Sequence, residues 1–397
     1  MKPVTRVLAF PKNGANAYLN LFAAQLEERG AFVEEFSFRR AFFRRYDVLQ
    51  IHWPETHLRT GSWWRALAKH VRLALMCLVV RARRTRIVWT IHNLKPHEAD
   101  HWISAALFPL WFPRLCTHVI ALSSGGLAAA RARHPCLRGK PSAIVPHGHY
   151  RDVYPPAPGR MECRVRLGVR QSAFTYLFFG HIRRYKNVPH LIEVFRQVPA
   201  NDIQLVVAGM PALGVRPEDL MVPAGRDGRC TLILRHIADE EVSEFFGAAD
   251  LVVLPFREVL NSGSVLLALS MNRPVLAPRI GALPDIQRAV GERWLQLYDG
   301  HLTAAHLVRA RTEAETIEPG MAADLSAFDW GCIGDATLDF YLANQGDAAD
   351  DDRDEPPAGR WHMAGGFQGR RARGAESIRD RLRMGWTAAW PRGKGAQ

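Results

Sequence analysis

TYLFFGHIRRYKNVPHLIEVF, residues 175–195, carries an apolar run into a glycine, sets three cations in four residues, and continues with apolar residues at helical spacing. Apolar residues from 175 to 180 without polar alternation read as a strand buried on both faces. Val188, Leu191, Ile192 and Phe195 recur as one face of a helix. A strand joined to a helix by a short glycine turn is half of a parallel β-α-β unit, and ligands of such sheets bind outside the carboxyl ends of the strands. A solvated turn accounts for the cations alone equally well, so the rest of the chain has to decide.

The same texture repeats on both sides. Strand-like runs are expected at Val4–Phe10, Phe32–Phe36, Val48–His52, Arg86–Ile91, Val119–Leu122 and Ala143–Pro146. A second set follows at Thr175–Gly180, Gln204–Gly209, Thr231–Leu234, Leu251–Pro255 and Pro274–Ala277. Helical patterns lie between them, including Tyr18–Arg29, Val188–Gln197, Asp239–Ala248 and Ser264–Met271. This alternation predicts an α/β protein with two doubly wound, Rossmann-like domains facing a cleft. The expected divisions are 1–150, a Pro- and Gly-rich hinge or linker at 151–170, 171–320, and a closing helical segment at 321–345. Residues 346–397 hold few clustered apolar residues and are expected to be a disordered tail.

Of 397 residues, 52 are Lys or Arg and 39 Asp or Glu, a net charge of +13. Residues 1–150 hold 22 of those cations against 8 acids, so the first half is the basic one. Such a half is expected to meet something anionic, a membrane surface or a nucleic acid. The six cysteines are scattered, with no C-x-x-C pair and no zinc spacing. That fits a reducing compartment and no bound metal. A strand-like run begins almost at once, so no signal peptide is read, and the longest apolar stretch, 73–80, is too short to span a bilayer. The expected location is cytoplasmic. No G-x-G-x-x-G follows a strand, which argues against hydride transfer, and no cofactor is expected.

Three segments of the second half converge at strand ends: 180–187, LRHIADEE at 234–241, and LPFREVLNSGSVLLALSMNRPVLAP at 254–278. In the last, Asn261-Ser262-Gly263-Ser264 opens a helix whose free N–H groups favour an anion. Ordinary helix capping uses the same residues. Basic side chains opposite a helix start form a two-sided clamp, and a diphosphate is its natural guest.

With these residues in view, the second half resembles the donor domain of GT-B nucleotide-sugar glycosyltransferases. GHIRRYKN is similar to their G-R-L-x-x-x-K-G phosphate loop, with Lys186 at the family lysine and His181 where arginine is usual, Arg183 supplying that charge. REVLNSGSVLLALSMNRPVLAP resembles their E-x7-E segment and the A-M-A-x-G-x-P-V that follows. Glu258 lies one residue from the first glutamate, and Leu267 occupies the second, which commonly holds the ribose in retaining members. That departure points to an inverting transfer. In the first half FPKNGANAYLNLF (10–22), IHWPE (51–55), WTIHNLKPHE (89–98) and PHGHY (146–150) resemble bacterial exopolysaccharide GDP-mannose:glycolipid 4-β-D-mannosyltransferases. The resemblance implies a nucleotide-sugar donor, GDP-mannose, held by residues 171–320. It implies a polyprenyl-diphosphate-linked oligosaccharide acceptor held by residues 1–150.

Its donor-contacting residues would be His181, Arg183, Lys186, His236, Ile237, Glu258, Asn261, Ser262, Gly263 and Ser264. Asn13, Gly14 and Asn16 would form the first strand–helix turn, facing the diphosphate or the acceptor. Inverting transfer needs a group near the acceptor hydroxyl to take its proton. Glu55, His92, Glu98 and Asp100 are the candidates, with Glu98 the first choice, Glu55 the second, and His92 better suited to holding the sugar. His52, His97 and His101 taken singly read as structural. Cations around the diphosphate replace a metal, so none is expected.

FSFRRAFFRRYD (36–47) and SWWRALAKHVRLALMCLVVRARRTR (62–86) interleave aromatic residues with arginines, as interfacial helices do at anionic headgroups. The apolar positions of the second stretch also suit packing on a sheet. No nucleic-acid module is present, and nucleic acid is not an expected partner. Two other classes stay open at this point: a non-catalytic binder of sugar nucleotides or polysaccharide on this fold, and a nucleic-acid-binding protein.

Overall fold

A computed structural model describes residues 4–14, 16–58, 60–94, 102–225 and 227–343. The tail expected at 346–397 lies outside them. Six parallel strands, β1 (Arg6–Phe10), β2 (Phe32–Glu35), β3 (Val48–His52), β4 (Arg86–Ile91), β5 (His118–Ala121) and β6 (Ser142–Ile144), form the first sheet in the order β2-β1-β3-β4-β5-β6. Six more, β7 (Phe174–Phe179), β8 (Ile203–Ala208), β9 (Cys230–Ile233), β10 (Leu251–Val253), β11 (Val275–Pro278) and β12 (Leu295–Tyr298), form the second in the order β12-β11-β10-β7-β8-β9. The doubly wound α/β expectation holds. β12, whose apolar run is broken by Gln296, was not foreseen.

The central strands β3, β7 and β8 are buried at every position, because helices cover both faces of a parallel sheet. Strand order reverses between β1 and β3 in one sheet and between β7 and β10 in the other. At such a reversal the connections leave in opposite directions and open a crevice beyond the strand ends. By that rule a ligand is expected near the loops after β1, β3, β7 and β10.

Packing ties the opposite ends of these strands together. Arg164 is fully buried, pairs with Asp250 at 2.8 Å, and donates to Thr175 Oγ1 and the Ala248 carbonyl. Asp250 in turn accepts from the Thr175 backbone N–H, so the starts of β7 and β10 are locked together. The chain finally returns to the first sheet. Trp330, at the start of the helix Trp330–Ala343, donates from its indole N–H to the His149 carbonyl at 2.7 Å. Arg29 pairs with Asp335 and donates to the Gly331 carbonyl at 2.6 Å. The compact unit built this way spans Met1–Leu338; of the second unit, Asp339–Gln397, the described residues are the last turn of that helix.

Candidate active site

The loop after β7 is held on both sides by main-chain bonds. Ile182 N–H donates to the Met210 carbonyl and Ala212 N–H to the Ile182 carbonyl, which zips this loop to the one after β8. Arg257 N–H donates to the Tyr185 carbonyl at 2.8 Å and ties it to the loop after β10. Gly209 permits the first junction: any side chain there would collide with the Gly180 carbonyl oxygen. Asn187, at φ 55, then turns the chain into the helix Val188–Arg196. Such bonding fixes the backbone of the basic loop, so little main-chain ordering remains to be done on binding.

A cleft of about 580 Å³ opens here, lined by Asn93, Leu94 and Arg133 on one side and by the loops after β7, β8 and β10 on the other. Among the described residues, four arginines, Arg133, Arg183, Arg184 and Arg257, line it together with one carboxylate, Glu258. Beneath the loop lies Lys186, only 7 % exposed, with its ammonium 5.7 Å from the centre of the Phe178 ring. No carboxylate pairs with it among the described residues. Burial, and then the charge of Arg183, pull its pKa down to about 8. A buried ammonium without a counter-ion is costly and marks a place where an anion is welcome. His181 and His236 are exposed and do not line the cleft; partial desolvation, then Arg183, Lys186 and His236, lower the pKa of His181. Ile237 beside them is buried.

The helix Gly263–Ser270 starts just after the cleft residues Val259 and Leu260, and Ser262 Oγ accepts from the Val265 N–H; residues 261–264 themselves do not line the cleft. Gly263 serves packing, since a Cβ there would stand 3.2 Å from the Tyr150 hydroxyl and 3.7 Å from His147 Nε2. Ser264 follows in the first turn. Asn261 donates from its side chain to the His92 carbonyl at 3.1 Å, joining the two sheets' loops, while its Oδ1 has no partner among the described residues.

At the ends of β3 and β4 the rings of His52, His92, Trp53 and Tyr18 form one cluster. His52 Nδ1 lies 3.0 Å from His92 Nε2. Trp53 stacks on His92 at 3.8 Å and 19°, and Tyr18 meets it edge-on at 5.1 Å. Burial lowers the pKa of His52 to about 3 and that of His147 to about 4. His92 falls well below the usual value through burial and then the neighbouring His52 and His147. All three imidazoles are neutral at neutral pH. Glu55 sits in the single helical turn Pro54–Leu58 after β3; burial raises its pKa, and a hydrogen bond from Asn93 offsets part of the rise. A carboxylate with raised affinity for protons beside a cleft residue has the chemistry of a general base.

The remaining expected residues divide. Asn16 caps the helix Ala17–Glu28, its Oδ1 accepting from the Tyr18 N–H, and Asn13 N–H donates to Glu35. Gly14 is exposed in that turn. Glu98 and Asp100, with His97 and His101, lie outside the described residues. Leu267 stands half-buried in the helix after Gly263, so no carboxylate takes the second place of an E-x7-E pair. Arg133, Arg257, His147 and Tyr150 were not foreseen as site residues. PHGHY after a strand was the available signal for the last two, whereas nothing local marks Arg133, on a helix of the other half. Among the described residues no group of three or more His, Cys, Asp or Glu is arranged around a metal-sized space.

Two doubly wound parallel sheets, with a basic cleft lined by the loop after β4 on one side and the loops after β7, β8 and β10 on the other, have the GT-B arrangement. Comparison with solved structures agrees on the fold: sucrose-phosphate synthase from Thermosynechococcus elongatus superposes with a TM-score of 0.56 at 16% identity, covering 86% of this chain and 94% of that one. Anabaena HepE in complex with UDP-glucose gives 0.53 at 17% identity, covering 86% and 97%. Residues 173–310 match the profile of the family described as glycosyl transferases group 1. The chain belongs to these glycosyltransferases. More particularly, it is 34% identical over 360 residues, 87% of its length and 98% of the other's, to a GDP-mannose:glycolipid 4-β-D-mannosyltransferase of Xanthomonas campestris pv. campestris. A D-inositol 3-phosphate glycosyltransferase of Streptomyces avermitilis is 30% identical over 224 residues, 52% of this chain and 47% of that one.

Proposed function

We propose that the protein moves mannose from GDP-mannose onto a polyprenyl-diphosphate-linked oligosaccharide, with inversion, as a step of exopolysaccharide assembly at the cytoplasmic membrane surface. The observation that carries this reading is the preset basic cleft at the β7/β10 reversal, in a chain akin to the Xanthomonas mannosyltransferases. Arg183, Lys186 and the helix start at Ser262–Ser264 hold the donor diphosphate, cations serving in place of a metal. The acceptor hydroxyl attacks C1 as the bond from C1 to the diphosphate oxygen breaks. Its proton passes to a first-half carboxylate, and the bonding pair leaves with the diphosphate. Charge that grows on the leaving group meets donors already in position. For the base, the geometry favours Glu55, bonded to the cleft residue Asn93, with Glu98 as the second candidate. His92 holds the transferred sugar.

A panel of sugar nucleotides tested for thermal stabilisation checks the donor, since a ligand bound only by the native state stabilises by about 2.7 kcal/mol at 100 times its Kd. GDP-mannose should raise Tm most and be turned over with a polyprenyl-linked acceptor. Stabilisation by a different sugar nucleotide alone would transfer the assignment to that donor. Stabilisation without turnover on any acceptor would favour a non-catalytic binder, for which the leucine at 267 speaks.

The helix Trp63–Ala82 supports the membrane part. Ala66, His70, Leu73, Met76, Cys77 and Val80 are buried, His70 against Trp111 of the helix Trp102–Leu115, and on the opposite face Trp64, Leu67, Val71, Leu75 and Leu78 are each at least 44 % exposed. Arg65, Lys69 and Arg72 border that outer face, and Phe43 is 81 % exposed. Arg40 and Arg44 of the first aromatic–basic stretch pair with Glu34, so part of its charge is already neutralised. Among the described residues no helix is long and apolar enough to cross a membrane. An outer apolar face with cationic borders suits docking in the headgroup layer, each cation contributing about 1 kcal/mol, screened by salt. Sedimentation with liposomes should show binding that requires acidic lipid, weakens with salt, and is lost in a Trp64→Ser, Leu75→Ser variant. Equal partitioning onto neutral liposomes, or none onto either, would refute the anionic-surface reading.

A further inference from the structure

We propose that His52 is a positioning residue: it holds His92 in the tautomer protonated on Nδ1, which leaves that N–H as the ring's free donor for the transferred sugar. The role assigned to His92's donor rests on the reading of the cleft as a transfer site; the tautomer itself does not. His52 Nδ1 and His92 Nε2 are 3.0 Å apart inside the protein, so one nitrogen carries the shared proton. Which one does so follows from the far side of His52. Its Nε2 is buried with no partner among the described residues, and the Phe22 and Tyr18 rings meet the imidazole edge-on. If His92 donated, His52 would have to carry its proton on that Nε2, a buried N–H left unmet, and such orphans are the rarest in proteins. His52 therefore donates from Nδ1, His92 accepts on Nε2, and a neutral His92 keeps its proton on Nδ1.

The surroundings keep the ring in this setting. Trp53 takes φ 43, a left-handed backbone that a bulky residue adopts only where neighbours over-determine it, and its indole lies flat on the His92 imidazole. Tyr18 closes the edge, and Asn261 anchors the His92 carbonyl. His147 does not compete for the proton, since its Nδ1 is engaged with the Gly148 carbonyl and its Nε2 faces the Tyr150 hydroxyl at 3.4 Å. The strain at Trp53 thus has a function in this arrangement: it holds a neutral donor still where a hydroxyl is to be oriented.

Nitrogen NMR of the histidine-labelled, donor-free enzyme reads the tautomer directly, with His92 assigned by its loss in His92→Gln. The expected spectrum has protonated Nδ1 and bare Nε2 at His92; the reverse pattern in the wild type overturns the proposal. Kinetics separate positioning from packing. His52→Phe keeps an aromatic ring against Phe22 and Tyr18 but has no nitrogen, and should lower kcat/KM about 10-fold or more. His52→Asn loses the ring yet retains an N–H near the place of Nδ1, and should recover most of that loss. A packing role gives the opposite order, and His52→Phe as active as His52→Asn, or more so, refutes the idea. If His52→Phe fails to fold, the wild-type spectrum still decides. Because that spectrum is recorded without donor, failure of the donor assignment leaves it unaffected.

Discussion

Replacing Lys186 with alanine is expected to lower kcat/KM by about 10²-fold or more, the scale of losing one preorganised charge stabiliser. The side chain is nearly enclosed, carries no carboxylate partner among the described residues, and sits under the loop whose Arg183 lines the cleft. Truncation to alanine relieves the folded enzyme of an uncompensated buried charge. Catalysis should therefore fall while Tm stays level or rises, which distinguishes a ligand-directed lysine from a structural one. Near-normal activity and donor affinity in the variant would remove Lys186 from the clamp.

The same residue sets an alkaline limit. Its ammonium is the form that attracts a diphosphate, and its pKa in the free enzyme is about 8. Below that pH the charge is present; above it the charge is lost, and kcat/KM, which reports the free enzyme, should fall. In Lys186→Ala this alkaline limb should disappear from the profile. A limb that persists unchanged would belong to another group.

Replacing Glu55 with glutamine is expected to cost about 10² to 10⁴ in kcat, the range for removing a positioned general base. Glutamine keeps the shape and the contact with Asn93, so thermal stabilisation by the donor should be retained. Burial raises the Glu55 pKa, and the basic form is the one above it. Activity should accordingly decline as pH drops through a value above the ordinary glutamate range, and Glu55→Gln should lack that acid limb. Together with Lys186 this predicts a bell-shaped profile. Full activity in Glu55→Gln with loss in Glu98→Gln would make Glu98 the base, and full activity in both would exclude either carboxylate.

Much of this was legible along the chain, because a parallel sheet writes itself locally. Strands buried on both faces are apolar runs, helices between them show a 3.6 period, and glycine ends two of the runs, at Gly180 and Gly209. Thus residues 175–195 announce strand, basic turn and helix, and the strands Val48–His52 and Arg86–Ile91 fall where the sequence puts them. Residue types at strand ends likewise marked Arg183, Lys186, Asn261 and His92, since the carboxyl edge of such a sheet is where ligands reach.

Only the tertiary structure could decide what depends on distance between separate strands. Lys186 reads as one more cation in a basic turn, and its burial, hence its low pKa, comes from the packing of neighbouring loops. His52, set aside as structural, gains a partner 40 residues away because β3 pairs with β4 so that His52 stands opposite Thr90, two residues before His92. Arg133 enters the cleft from a helix of the other half. In the helix Trp63–Ala82 the sequence held apolar residues on two faces, and no local rule says which of them a sheet will cover. The fold covers Leu73 and Met76 and leaves Trp64 and Leu75 in solvent. Periodicity belongs to the chain, whereas burial and partnership belong to the neighbours that folding supplies.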